Sequence, residues 1–171
     1  TGGLRHRGDL GDFSYSVDLS SRPMANSVLS YAGARDPRTG TVWGGVQASG
    51  VRLALSHDQG GAFGAWSAVG LHRLTGRNVQ ANNRMQGMAG AYWRIISGPD
   101  RLVSVGVTGM LWRSSTNAGE YTFGHGGYFS PQSYRSISLP ITVGERTARF
   151  SYAVRAAANV SRSVVHAARC F

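Results

Sequence analysis

The sequence has a single cysteine, no lysine and few carboxylates, and each shortage excludes a class of chemistry. Cys170 has no second thiol to pair with, so a disulfide within the chain is excluded. The eight Asp and Glu residues lie mostly in predicted loops, with Asp18 alone on its strand, so the paired carboxylates of a glycoside hydrolase are not expected. The five histidines show no metal-ligand spacing. We therefore expect no catalytic residues, no cofactor and no metal site.

Long apolar runs are also missing. No segment approaches the roughly 20 apolar residues of a membrane helix, which excludes helical spans but not a membrane barrel built from alternating strands. The formal charge is +10, and every residue in the Lys and Arg count is arginine. The arginines are scattered singly along the chain and form no basic run. Nucleic-acid binding is therefore not expected.

What the sequence does contain is alternation with a period of two residues. Residues 13–20, FSYSVDLS, place Phe, Tyr, Val and Leu on one face and Ser and Asp on the other. Similar alternation returns in residues 51–56, 63–72, 85–94, 102–112, 135–143 and 150–161. We predict an all-β chain with seven clear strands and a partial eighth. Residues 24–32 are predicted as loop, and Pro140 predicts an edge or bulge in its strand.

The predicted connections alternate between long and short. The long ones are 21–42, 73–83 and 113–132, and the short ones are 57–62, 95–100 and 144–148. This two-sided asymmetry is typical of an antiparallel up-and-down transmembrane β-barrel of the outer membrane. Aromatic residues near strand ends fit the interfacial girdles of such a barrel: Phe13, Trp43, Phe63, Trp93 and Trp112. The alternative is a soluble β-sandwich that binds carbohydrate, since its strands also alternate.

The alternation also sorts polar residues onto the face that would line a lumen. The predicted lumen-facing residues are Asp18, Arg52, His72, Arg94, Trp112, Arg155 and Asn159. A second candidate set lies in and beside one long loop, in YTFGHGGYFSPQSY at residues 121–134, where aromatic rings could stack on sugars. These predicted polysaccharide-contacting residues are Tyr121, Phe123, His125, Tyr128, Phe129, Gln132 and Tyr134. The alternative is that these aromatics fold together as the loop's own core.

Three stretches resemble a known family. LTGRNVQANNRMQGMAGAYWR, YTFGHGGYFSPQSYRSISLPI and the earlier DLSSRPMANSVLSYAGARDPRTGTVWGGV are similar, in the same order, to the C-terminal domain of bacterial cellulose synthase operon protein C. The resemblance covers residues 1 to about 160, and the string GHGGYFSPQ is its most specific part. We therefore divide the chain into residues 1–161, a partial barrel of that type, and residues 162–171, a divergent tail.

The resemblance implies a function as well as a fold. Members carry periplasmic helical repeats, missing from this sequence, followed by an outer-membrane barrel of about sixteen strands. The barrel exports cellulose and is a conduit rather than an enzyme. The implied partners are the cellulose chain, outer-membrane lipid and the periplasmic and inner-membrane synthase subunits. This chain supplies roughly half of such a barrel. A non-specific porin or adhesion barrel is an alternative function.

Overall fold

The computed structural model describes residues 1–168 and consists almost entirely of one antiparallel sheet. Its elements are β1 (Gly2–Leu10), β2 (Phe13–Pro23), α1 (Val28–Tyr31), β3 (Ala34–Arg35), β4 (Val42–His57), β5 (Phe63–Arg77), β6 (Val79–Ser97), β7 (Arg101–Ser114), β8 (Ser133–Arg146) and β9 (Ser151–Val164). The long strands lie in chain order, and the two-residue β3 pairs with β4. The all-β, antiparallel prediction is confirmed, with nine strands in the described part of the chain.

Residues 2–10 form a strand that precedes the seven clear strands of the sequence pattern. β1 pairs with β2 along its whole length, from Gly2 opposite Ser21 to Leu10 opposite Phe13. The two-residue turn between them begins at Gly11, whose φ is 59°. Positive φ at the first turn position is what a type II′ hairpin turn needs, and its twist matches that of the flanking strands.

The connections define two ends of the sheet. The short-turn end carries the turns at residues 11–12, 58–62, 98–100 and 147–150. The long-loop end carries two long segments, 24–41 and 115–132, and the tip of the β5–β6 hairpin at Asn78.

The predicted long loop at 73–83 is wrong, because the ladder between β5 and β6 continues to Gly76 opposite Val79. The two strands are joined by a tight turn at Asn78, whose φ is 48°. The extension is held from outside the hairpin, where Gln80 N donates to Gly124 O at 2.9 Å. A hydrogen bond to a segment this distant in sequence cannot be predicted from the alternation of neighbouring residues.

The segment predicted as loop at 24–32 contains one helical turn. Ser27 caps α1 by accepting a hydrogen bond from Ser30 N at 3.0 Å, while Ser30 Oγ accepts one from Ser27 N at 2.8 Å. This reciprocal cap satisfies two donors that a helix start otherwise leaves unpaired. Residues 24–32 are the one helix candidate in the sequence, but four helical residues are too few to show an apolar period and distinguish the turn from a loop. No helix within residues 1–168 is long and apolar enough to cross a membrane.

The irregularity predicted at Pro140 is present and one-sided. Toward β9, the ladder runs without a break from Ser133 to Arg146. Toward β7, the pairs resume only at Ile141 opposite Val105 after Ser138 opposite Thr108. Proline has no N–H to donate, so the gap in the ladder falls on the side where that donor would point.

The sheet is open in the described part of the chain. Within residues 1–168 no pairing joins β1 to β9, so each of them is an edge strand. β9 continues to Val164, three residues into the predicted tail. Residues 169–171, with Cys170 and the terminal aromatic Phe171, lie outside the described residues.

Candidate carbohydrate-contacting surface

The register of the ladders determines which side chains share a face. One row runs directly across seven strands: Asp18, Arg52, Gly70, Gln86, Trp112, Tyr134 and Ser163. Residues directly opposite each other project from the same side of a sheet, and so do residues two positions apart on one strand. His72, two positions after Gly70, therefore lies on this side too.

The remaining predicted lumen-facing residues lie on the same side. Arg94 is opposite Ser104, Ser104 is opposite Thr142, and Thr142 is opposite Arg155. Asn159, four positions after Arg155, points the same way. All seven predicted residues thus share one side of the sheet, which we call the polar face. Whether this face lines a lumen stays a prediction.

The other side is apolar and exposed, and we call it the apolar face. It carries Leu19, Leu53, Val69, Leu111, Ile137, Leu139, Ile141 and Val160, all exposed. Along residues 136–142 of β8, the apolar Ile137, Leu139 and Ile141 are exposed while the residues that alternate with them are half-buried. A soluble sheet shows the reverse order, with its apolar side covered. We call this an inside-out sheet, because its apolar face is exposed and its polar face is partly covered, the reverse of a soluble protein.

Three of the five predicted girdle aromatics lie on the apolar face at the short-turn end. Phe63 is directly opposite Trp93, and Phe13 begins β2 on the same face. Trp112 instead lies on the polar face, opposite Tyr134. Trp43 lies at the long-loop end, where its ring centroid is 6.2 Å from that of Phe123. The prediction that Trp112 joins a girdle is wrong, because ladder register rather than closeness to a strand end decides its side.

The buried core of the chain sits at the long-loop end and on the polar face. Its members are Met24, Val46, Ala48, Leu74, Ala118 and Tyr128. Tyr128 is 3% exposed, and burial raises the pKa of its hydroxyl group. Both long segments therefore fold over the polar face, with Met24 from one and Tyr128 from the other packed on β4 and β5.

The predicted contact residues in 121–134 divide by exposure. Tyr128 and His125 are each 3% exposed, so they help to shape the loop from within. His125 Nδ1 lies 2.9 Å from Thr122 Oγ1. The aromatic rings of Tyr121, Phe123 and Phe129 are exposed, and Tyr134 and Gln132 are half-buried. The second group is therefore the accessible part of the predicted set.

The glycines of the GHGG string are required by the backbone. Gly127 has φ 64°, and a Cβ there would lie 3.0 Å from Ser27 Oγ and 3.1 Å from Leu29 Cδ2. A side chain at this position would strain the turn and separate the two long segments. Loop packing therefore accounts for the glycine at position 127 of this string.

The exposed rings continue onto the sheet as one aromatic surface. Phe129 packs edge-on against Trp112, with ring centroids 5.6 Å apart, and against Tyr134, at 6.2 Å. The Arg84 guanidinium lies 5.5 Å from the centroid of the Trp112 ring, within cation–π range. Four residues from the loop and three strands thus present rings and hydrogen-bond donors at one place on the polar face.

Asn82 holds this loop in place, and the sequence pattern gave no sign of it. Its Oδ1 accepts hydrogen bonds from Ser115 N at 3.0 Å, Ser115 Oγ at 2.9 Å and Thr116 N at 3.2 Å, while its Nδ2 donates to Thr116 O at 2.9 Å. The side chain is 1% exposed. A buried amide with all these partners is a structural anchor.

We expect Asn82→Ala to loosen the loop. It removes four hydrogen bonds and leaves buried groups unpaired, which costs about 2–3 kcal/mol. Hydrogen exchange should show this loss of protection at the amides of Ala118 and Gly126, which bond within the loop. Asn83→Ala is the matched control, because Asn83 is exposed and contributes backbone groups to this site. Equal exchange in both variants would show that Asn82 is not the anchor.

At the short-turn end, the charge of Arg94 is already paired. Its guanidinium bonds Asp58 twice, at 2.9 and 2.6 Å, and also donates to Gly61 O at 2.7 Å. Tyr92 donates its hydroxyl hydrogen to the same carboxylate. The hydrogen bonds from Arg94, and then from Tyr92, hold the pKa of Asp58 well below its usual range. Arg94 thus fastens the 58–62 turn across the polar face.

Some arginines of the polar face are neutralised by carboxylates, as Arg94 is by Asp58. Asp18 forms an ion pair with Arg5 at 2.7 Å. Arg52 and Arg155 are exposed, with no ion pair to any residue within 1–168. The described residues contain no group of three or more His, Cys, Asp or Glu side chains that could hold a metal ion.

The sequence was also compared with known protein families. The profile of the cellulose synthase operon protein C C-terminus matches residues 1–171. The chain belongs to this family. The match includes residues 162–171, so the likeness to the family extends further along the chain than residue 160.

Curated members of the family include proteins named cellulose synthase operon protein C from several bacteria. The protein from Escherichia coli strain K12 is 38% identical over 164 residues, which are 95% of this chain and 14% of that protein. The Pseudomonas fluorescens protein is 39% identical over 84% of this chain and 11% of its own length. The Komagataeibacter xylinus protein is 32% identical over 90% of this chain and 12% of its own length. The chain thus spans a small part of these relatives.

Proposed function

We propose that this chain is part of the wall of an outer-membrane β-barrel through which cellulose is exported. The inside-out sheet carries the proposal, since its apolar face is exposed while its polar face is partly covered by loops. A bilayer accepts a sheet whose backbone groups are all paired and whose outer side is apolar. The strands from β4 to β9 have 14 or more residues, beyond the roughly 9–11 that cross the hydrocarbon when tilted.

The open edges fit a wall segment of a larger barrel. A strand of 14 residues with unpaired N–H and C=O groups, such as β9, cannot face lipid alone. Additional strands must therefore pair with β1 and β9 when the barrel closes. Side chains on the polar side of β8 and β9 are small, such as the half-buried Ser138 and the exposed Asn159 opposite it, and they leave room for a polymer.

Cellulose as the cargo rests on the names of the relatives and on the chemistry of the polar face. Sugar rings offer C–H faces to aromatic rings and hydroxyl groups to arginine. The Arg84–Trp112–Phe129–Tyr134 surface at the long-loop end provides both kinds of contact. A conduit requires many weak contacts and no reacting group. The protein would thus guide the polymer made by the synthase subunits, without acting as an enzyme.

The first experiment asks whether the full-length protein enters a bilayer. We expect it to need detergent in solution, to insert into lipid vesicles, and to pass cellulose oligomers in preference to charged solutes of similar size. Insertion with equal passage of all small solutes would favour a non-specific porin. A protein that stays monodisperse in plain buffer and binds cellulose would overturn the membrane proposal in favour of a soluble carbohydrate-binding protein.

A further inference from the structure

An unusual arrangement of arginines lies on the apolar face near the long-loop end. Arg135 in β8 is directly opposite Arg162 in β9. Arg113 lies on β7 two positions from Leu111, the residue opposite Arg135, and is therefore a diagonal neighbour of Arg135. Like charges directly opposite each other in a sheet are destabilising. Within residues 1–168, none of the three forms an ion pair with a carboxylate.

The three arginines stand at one height in the sheet. Arg113, Arg135 and Arg162 lie 12, 11 and 11 positions from the short-turn ends of their strands, which are Arg101, Arg146 and Ser151. Because about 9–11 strand residues cross the hydrocarbon, this height is the boundary between the acyl chains and the headgroups. Arginines at this level can reach headgroup phosphates.

An apolar groove of about 570 Å³ begins at the same arginines. Gly87, Ala89 and Gly109 give it a floor without large side chains, and Leu111, Ile137 and Val160 stand beside it. A Cβ at Gly109 would meet no atom within 4 Å, so the space above the floor is open. The groove lies on the apolar face next to Arg135 and Arg162, and further lining residues lie one row nearer the middle of the sheet: Ala89, Gly109, Ile137 and Val160.

A polar pocket of about 440 Å³ adjoins the groove on the other side of Arg135. Arg113 and Arg135 both line it, with Ser115, Ser133, Gln132 and His166. Cations and hydroxyl donors thus lie toward the loops, and an apolar channel lies toward the middle of the sheet. A molecule with an anionic head and an apolar tail matches both parts.

We propose that this site binds an anionic membrane lipid, with its phosphate on Arg113, Arg135 and Arg162 and one acyl chain in the groove over Gly109. The proposal rests on the proposed location of the apolar face in a bilayer. The phosphate offsets the repulsion between the two opposed guanidinium groups, and arginine binds phosphate with parallel N–H donors. The lipid would also cover the outer side of β8 and β9, beside the edge where further strands pair.

The test measures lipid retention by the full-length protein in detergent micelles. Dioleoylphosphatidylglycerol is the anionic probe, dioleoylphosphatidylcholine the zwitterionic one, and native mass spectrometry counts the lipids that stay bound. The double variant Arg135→Gln/Arg162→Gln should retain the anionic lipid roughly 25-fold more weakly, since each arginine near the surface contributes about a factor of five. Arg52→Gln/Arg155→Gln removes the same charge from the polar face and should retain it normally.

A second variant separates a lipid from a free anion. Gly109→Leu fills the groove without changing charge, and it should lower lipid retention while inorganic phosphate binding stays the same. The lipid proposal would be overturned if inorganic phosphate bound the arginines and Gly109→Leu left lipid retention unchanged. Equal retention by the two double variants would overturn it as well. A protein that fails to insert into vesicles overturns the proposed function, whereas insertion without preference for the anionic lipid overturns only this site.

Discussion

Leu139→Arg should destabilise the protein by about 2–4 kcal/mol, because it places a charge on the apolar face near the middle of a bilayer. Leu139 is 56% exposed, so a substitution there meets no core and creates no cavity. In a soluble protein, an exposed leucine could take a charge with an effect within about 0.5 kcal/mol. The size of the effect therefore reports directly on what surrounds the apolar face.

The matched control is Ser138→Arg, one residue earlier in β8. Ser138 points to the polar face, where it lies opposite Thr108 and Asn159. We expect a change within about 0.5 kcal/mol for this variant. The measurement is urea unfolding of the full-length protein in lipid vesicles. If both arginines cost the same, or if Leu139→Arg is harmless, the apolar face does not contact lipid.

Removing the rings of the aromatic surface should reduce cellulose export without removing the barrel. Trp112→Ala/Phe129→Ala deletes two rings that pack edge-on on the polar face, with centroids 5.6 Å apart. If each ring contributes about 0.5–1.5 kcal/mol, losing both costs about 1–3 kcal/mol, so we expect export to fall by about fivefold or more. The measurement is the amount of cellulose at the cell surface, divided by the amount of protein in the outer membrane.

The control for this variant is Trp93→Ala, which removes an equally large ring from the apolar face at the opposite end. It should leave the export per protein unchanged even if it lowers the amount inserted. The more conservative Trp112→Phe keeps a ring and should recover most of the export. Normal export by Trp112→Ala/Phe129→Ala would show that the rings only pack the loop, as Tyr128 does.

The two results concern opposite faces of one sheet, so they can fail independently. A protein that tolerates Leu139→Arg but loses export through Trp112→Ala/Phe129→Ala would bind polymer outside a bilayer. The reverse outcome would place the sheet in a bilayer and leave its cargo open. The first test works because consecutive strand residues point to opposite faces, so Ser138 and Leu139 report on different sides of the sheet.

The sequence by itself determined the strands, their two faces and the family. Alternation is a local property, because neighbouring residues in a strand project to opposite sides whatever lies elsewhere. For this reason, seven polar residues from Asp18 to Asn159 could be assigned to one face without coordinates. Pro140 is a similar case, since a missing N–H affects the ladder in any strand. GHGGYFSPQ indicated the family before any structural comparison.

Only the tertiary structure decided how the loops use the polar face. Tyr128 packs on Val46 and Leu74, and Asn82 binds Thr116, across separations that no periodic pattern records. The hydrogen bond from Gln80 N to Gly124 O likewise joins the end of the β5–β6 hairpin, where a loop was expected, to the distant 115–132 segment. The opposed pair Arg135 and Arg162 also becomes visible only in the register of β8 and β9. A period of two assigns each side chain to a face, but hydrogen bonds between distant segments decide its neighbours.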